Sequence, residues 1–354
     1  GVEPLDALPR REREQFAKFD AMVHAWRASG AFQVPMGDVR IDALDRSLQQ
    51  KLVTLDSQSA AAWMSSLGFN SPALRWWVEY GTRDDYGASL SQASAWSAVH
   101  YFAARDAEEQ GPLTWPEGNH WIAKQLAARA GARVVTDAPA YQVQRRGSKW
   151  LVRTPRMDVL CEAVIWAAPL FVMPRVIAGV EVPVATEYAP WVVANITLDR
   201  WPSERGAPPA WDNVIYGSQS LGYVVATHQQ LGQPGPASVW TWYHAVVDRA
   251  SVDGRKWLRD TEWTWWRDHI LADLGRAHPD IGDAVTRIDV RRWGHAMARP
   301  GPGVLERAAR LGSWTAGTGL FVAHADLSGF SLFEEAQWHG VRAADRAGAL
   351  LGRG

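Results

Sequence analysis

Apolar positions near the start of the chain recur every three or four residues. Phe16, Phe19, Met22, Val23 and Trp26 share one face of an expected helix over 12–28, which Gly30 stops. Residues 56–59 (Asp-Ser-Gln-Ser) precede an Ala-rich run as a cap, and Ser71-Pro72 opens another helix carrying Trp76, Trp77 and Tyr80. Residues 1–112 therefore read as mainly helical. Asn119 begins a helix through Ala130, closed by Gly131. The period then shortens to that of strands. Segments 133–136, 140–145, 150–154 and 159–167 predict an antiparallel meander with Gly147-Ser148 at a hairpin turn. Segments 188–198, 213–216, 222–228 and 239–246 predict a second sheet, with the Gly/Pro stretch 232–236 as a loop. Trp263, Trp266, Ile270 and Leu274 predict a helix from 260 or 261 to Gly275, and 284–293 another strand. A short strand at 320–323 then runs through a Gly/Ser turn into a helix from about Ser331. The fold class this implies is mixed, α/β with α+β features, in interleaved layers.

Composition narrows the function. A chain of 354 residues, 47% hydrophobic and 21% charged, suits about two globular domains. A net charge of -1 argues against a general nucleic-acid binder. The single cysteine, Cys161, excludes an intrachain disulfide and a cysteine-cluster metal site, and its apolar strand suggests a buried thiol. The histidines show no metal-ligand spacing, so no metal is assigned. The longest apolar run, 163–173, is too short to span a bilayer and contains Pro169. The compartment stays open between cytoplasm and periplasm. Trp is the outlier: 21 residues, more than Phe (9) and Tyr (8) together. Such rings serve as core bulk or line pockets for flat, aliphatic or cationic ligands. A flavin-free binding protein with a Trp-lined pocket is therefore one reading to carry.

Three segments bear candidate chemistry. The closing strand-turn-helix presents a helix N-terminus, which favours electron-rich ligand groups, and a small stripe (Ala336, Gly340, Ala343, Ala344, Ala347) for close packing. Trp293, His295 and Met297 alternate in an extended reading and are expected on one side, with His295 either a proton acceptor or a hydrogen-bonded structural residue. Asp84 and Asp85 beside Tyr86 would attract a cationic amine. Against that, adjacent helical residues point apart, and the same packet reads as a solvated helix end capped by Gly87.

The order of these parts resembles the flavin-containing amine oxidase superfamily, which includes monoamine and polyamine oxidases and spermidine dehydrogenase-like enzymes. The resemblance rests on Trp115-Pro-Glu-Gly-Asn119 with its helix, the hairpin strands of 133–154, Ala163-Val-Ile-Trp-Ala-Ala-Pro169 and the closing unit. It covers most of 113–354 and only loosely the first hundred residues. It implies the C-terminal part of a two-domain FAD-linked fold: 1–112 and 181–290 on the substrate side, 113–180 and 291–354 on the FAD side. It implies non-covalent FAD, and oxidation of an amine C–N bond by hydride transfer to the flavin. Ala140 falls where the family passes adenine, Ala325 and Asp326 near the ribityl and pyrophosphate, and Phe333 and Glu334 beneath the flavin pyrimidine. Trp293, His295 and Met297 fall beside the flavin face, with Asp84, Asp85 and Tyr86 as candidate substrate contacts.

The departures are equally informative. Glu335 stands where the family usually has glycine. No Gly-x-Gly-x-x-Gly is present, and Gly301-Pro-Gly303 lacks the third glycine. The chain is therefore expected to be the C-terminal two-thirds of a longer flavoprotein. Segment 191–198 has no Lys of the kind many of these oxidases place near flavin N5, which favours a dehydrogenase over a fast oxidase. The alternative chemistry within the superfamily is C–C oxidation, as in phytoene desaturase or protoporphyrinogen oxidase.

Overall fold

The computed structural model describes residues 7–39, 41–105, 115, 117–203, 205, 210–229 and 235–352. The expected boundary at 112/113 and most of the loop at 232–236 lie outside the described residues.

The first unit is helical: α1 (Arg10–Ala28), α2 (Arg46–Asp56), α3 (Ala60–Ser66), α4 (Pro72–Tyr86) and α5 (Ala95–Ala103). Asp45, Ser59, Ser71 and Ser94 cap the last four, each accepting from the N–H three residues on. α5 is the buried spine, with Trp96, Ala98 and Val99 packed among Phe19, Leu52, Met64 and Leu74.

Next come α6 (His120–Ala130), β1 (Gln142–Arg146), β2 (Lys149–Arg153), β3 (Asp158–Cys161), β4 (Val164–Trp166) and α7 (Met173–Val176). β1, β2 and β3 form the expected antiparallel meander, turning at Gly147 with φ 61°. Segment 133–136 is not a strand: a short 3₁₀ turn at Gly131–Arg133 follows α6 instead. The single strand expected over 159–167 is two strands in two sheets. Cys161 pairs with Trp150, whereas Val164 pairs in parallel with Leu320, so Glu162 and Ala163 carry the chain between sheets.

The third unit contains β5 (Tyr188–Leu198), β6 (Asp212–Asn213), β7 (Tyr223–Val225), β8 (Ser238–Ala245), α8 (Ser251–Asp260), α9 (Trp263–Leu274), α10 (Ile281–Ala284) and β9 (Val285–Ala298). Its strands form one antiparallel sheet in the order β6-β7-β8-β5-β9. Alternation gives the sheet two apolar faces. Val192, Ala194, Ile196, Trp240 and Trp242 face the helices, meeting Leu258, Trp266, Ile270 and Leu274. Ala189, Trp191 and Ala245 face α4, where they meet Tyr80. The chain closes with α11 (Val304–Ser313), β10 (Leu320–Val322) and α12 (Phe333–Leu350).

Candidate functional site

Two polar clusters stand out, one at the closing unit and one where α4 ends on the sheet. At the closing unit, β10 lies parallel to β4, and the chain then turns through a 3₁₀ segment at Ala325–Leu327. Ala325 and Asp326 are both buried. One Asp326 carboxylate oxygen, Oδ2, accepts from the Leu170 N–H at 2.9 Å and the Tyr188 hydroxyl at 2.5 Å. Burial pushes the Asp326 carboxyl up, but these bonds and His324 outweigh it and hold it below the ordinary range. Its Oδ1 meets no partner among the described residues.

Beyond Gly329, whose φ of 82° suits glycine, α12 begins with no side-chain cap on its N-terminus. Phe333 and Glu334 are exposed there, and among the described residues their N–H groups meet no acceptor. Glu335 behaves differently. It is fully buried, and its carboxylate accepts from the Met36 N–H at 2.5 Å and the Ser328 hydroxyl at 2.6 Å. His339, lowered to about 4 mainly by burial, is neutral and donates from Nε2 to Ser328 at 2.7 Å. The side chain replacing the family's glycine thus turns inward and ties α12 to the Met36 segment.

A flavin fits this edge of the molecule. The uncapped α12 N-terminus offers donors for an electron-rich ring edge, and Asp326 Oδ1 offers an acceptor for a hydroxyl. Ala140 stands apart. It is exposed at the entry to β1, and that sheet is tied to the closing unit at Thr318, whose carbonyl accepts from Arg145 and Trp150.

The second cluster forms because α4 ends buried on the sheet, not solvated as the sequence alone suggested. Gly87 sits at φ 56°, and a Cβ there would lie 2.4 Å from the Ala189 Cβ and 2.6 Å from the Trp191 Nε1. Only glycine lets the helix end lie this close to β5. Arg299 locks the contact, donating to the Gly87 carbonyl at 3.0 Å and to Glu187 at 2.8 Å.

Along this last turn the candidate substrate residues separate. Tyr86 is fully buried, pairs with His100 Nδ1 at 3.1 Å and packs edge-on against Phe330, so it faces the helical core. Asp85 pairs with Arg105 at 3.3 Å. Asp84 has neither a hydrogen bond nor an ion pair among the described residues, although Arg105 and Arg83 are within electrostatic reach. Burial first, then Asp85 and Asp212, raises its carboxyl to about 7.

Around Asp84 stand groups that sequence reasoning did not single out. Asp212 on β6, itself raised by burial, accepts from the Tyr243 hydroxyl at 3.0 Å. Among the described residues the buried Tyr80 hydroxyl lies beside that of Tyr243 without a well-formed hydrogen bond, and the Trp191 indole N–H is buried without a partner. Trp76 stacks on Tyr80 at 5.8 Å and meets Tyr216 at 4.7 Å. The result is an acidic cluster with aromatic neighbours, a set of groups suited to an alkylammonium ion.

β9 delivers its three candidates to different places. A register shift opposite Pro190 breaks the expected alternation. Met297 packs with Ala296 on the Tyr80–Trp191 cluster. His295 instead stacks on Phe171 at 4.2 Å and lines a recess with Arg255. Trp293 pairs with Trp191 across the strands but is 55% exposed at the sheet edge. Trp240, Trp242 and Trp266, which might have lined a pocket, are core residues on the other face.

Cys161 is half-buried in β3, with its thiol pushed up by burial. Among the described residues there is no group of His, Cys, Asp or Glu arranged for a metal ion, and no helix long and apolar enough to cross a membrane.

No protein-family model matches this sequence, and no curated protein matches it. Solved structures match the whole fold. Putrescine oxidase with putrescine bound superposes with a TM-score of 0.68 at 14% identity, over 98% of this chain and 77% of that one. Cyclohexylamine oxidase from Brevibacterium oxydans IH-35A gives 0.65 at 12% identity, over 98% and 77%. A protoporphyrinogen oxidase from Exiguobacterium sp. 255-15, so named as a putative assignment, gives 0.50 at 11% identity, over 73% and 61%. The chain has the fold of the flavin-containing amine oxidases.

Proposed function

We propose that this chain, built on the amine oxidase fold, works as an FAD-dependent oxidoreductase that oxidises the C–N bond of a small amine. The observation that carries this reading is the cluster where Asp84, lacking an ion pair among the described residues, lies within electrostatic reach of the buried Tyr80 hydroxyl and beside stacked aromatic rings. A primary ammonium placed there gains a charge-assisted bond to Asp84 and cation–π contact with Trp76 and Tyr80. Asp85, paired with Arg105, contributes to the negative potential, and Tyr86 holds the helix end from behind. Because its carboxyl sits near 7, Asp84 also takes the proton that the ammonium must lose before its C–H hydride departs.

Met297 packs on this cluster from β9, Trp293 is exposed at the sheet edge, and His295 stacks on Phe171 instead. Bound FAD supplies the hydride acceptor. Asp326, Ala325 and the open N–H groups of Phe333 and Glu334 would hold it on the closing unit, with Ala140 toward the adenine end. Attachment is read as non-covalent, because Cys161 lies in the meander sheet. In the same reading 113–180 and 291–354 form the FAD side, and 1–112 and 181–290 the substrate side.

The absence of Lys from Tyr188–Leu198 points to an acceptor other than oxygen. The test is anaerobic flavin reduction by a panel of monoamines, diamines and polyamines, followed by turnover with an artificial acceptor and with oxygen. Reduction by an amine, and turnover with the dye but not oxygen, is the expected result. Reduction by a porphyrinogen or polyene without any amine response would overturn the reading.

A further inference from the structure

A groove lies away from the Asp84 cluster. It follows the extended segment from Val180 to Tyr188, where every second side chain turns to one side. Val180, Val182 and Val184, with Leu170, Phe171 and Pro174, give it an apolar floor of about 840 Å³ counting its open mouth. Through Phe171, Thr186 and Tyr188 it continues into a smaller recess of about 660 Å³ lined by Arg255 and His295.

The two ends differ in charge. At the recess, Arg255 and Arg175 both bear on His295. Among the described residues neither arginine makes an ion pair or a hydrogen bond. Arg255 is held at the recess because its methylenes lie over Gly294, where even a Cβ would come within 3.4 Å of them. His295 is kept below its ordinary value by burial and by the two arginines, so it adds no positive charge of its own to theirs. Glu187 also lines this end, but its carboxylate is taken by Arg299 at 2.8 Å and by the Ser251 hydroxyl at 2.6 Å. Glu181 is exposed at the valine end. An apolar trough ending at the Arg255 guanidinium, with Arg175 close enough to act on the same His295, complements one ligand chemistry, an aliphatic chain with an anionic head.

We propose that this groove binds an acyl carboxylate, its chain along Val180, Val182 and Val184 and its head at Arg255 and Arg175. This site is separate from the proposed amine site at Asp84. It also touches the cofactor side directly: Leu170 and Tyr188, which line the groove, are the two residues that hold Asp326.

The test is calorimetric titration of dodecanoate into the full chain below its micelle-forming concentration, with dodecanol, which carries no charge for either site, as head-group control. Dodecanoate should bind saturably at one per chain, and dodecanol about tenfold or more weaker, as expected for loss of a charge-assisted bond. Arg255→Glu and Arg175→Glu should each weaken dodecanoate binding by about tenfold. Arg175 is exposed and makes no bond, so its variant keeps the wild-type melting temperature and guards against misreading a folding defect. Absent binding, equal affinity for the two head groups, or unchanged affinity in both arginine variants would overturn the proposal. Amine-driven flavin reduction reads the other site and is unaffected by either outcome.

Discussion

The five-stranded sheet meets helices on both faces, yet the two faces are used differently. Toward α8, α9 and α10, Trp240, Trp242, Trp266 and Ile270 fill the space completely. The charge there is fully engaged: Asp273 accepts from Ser218, Ser220 and the Trp242 indole at 2.6, 2.6 and 2.9 Å. His278 bonds both Tyr223 and the Ser203 carbonyl. What remains unpaired on that side is uncharged, the indole N–H groups of Trp240 and Trp266 and Nδ1 of a neutral His244. Toward α4, the Asp84 carboxyl has no hydrogen bond or ion pair among the described residues, and the buried Trp191 indole and Tyr80 hydroxyl have no well-formed hydrogen bond. A buried polar group without a partner costs stability, so a face that keeps such groups is arranged for something that binds there.

Four substitutions probe this contrast, from the largest expected effect to the smallest. Trp240→Ala should cost about 3–5 kcal/mol of stability in denaturant unfolding, with ligand affinity of the folded fraction unchanged. Asp84→Asn should do the reverse. Affinity for a primary ammonium should fall about 10- to 100-fold by equilibrium binding, while stability at neutral pH stays level or rises. The sign follows from linkage. A carboxyl raised from 3.8 to about 7 on folding favours the folded state below its unfolded value, and that contribution is lost as pH rises through about 7. Unfolding measured across this range should therefore show a stability decline in wild type that the Asn variant lacks. Gly87→Ala forces a Cβ onto Ala189 at positive φ and should cost about 1–3 kcal/mol, with weakened ammonium binding because the end of α4 moves. Trp293→Ala, at an exposed edge, should change stability by about 0.5 kcal/mol or less in thermal melts. A loss of several kcal/mol there would show that the edge is not free.

Local chemistry in the sequence announced the scaffold well. Ser59, Ser71 and Gly87 cap the helices they were expected to cap, and β5 runs over the expected residues because its alternation matches its two buried faces. Features set by pairing at a distance were hidden. The run 159–167 is apolar apart from Glu162, and one polar residue does not show that the chain leaves β2 for β10 there. β9 runs to Ala298, and the register shift that separates His295 from Met297 is imposed by Pro190 on the neighbouring strand. The Asp84 cluster was legible only in part. Asp84 stood out in an acidic packet, but Tyr80, Asp212 and Tyr243 come from three separate elements and carry no local signal. Tyr86 looked available because sequence does not show that the end of α4 is buried against His100 and Phe330.

The central claim is that Asp84 anchors an ammonium on the α4 face. It is tested most directly by the affinity of butylammonium for wild type and Asp84→Asn from pH 6 to pH 8. The wild-type affinity should rise with pH, by up to about tenfold per unit below the Asp84 value of about 7 and levelling above it, because binding requires the ionised carboxylate. The Asn variant should bind weakly and without that slope. An affinity independent of pH in wild type, or the same curve in both proteins, would contradict the account.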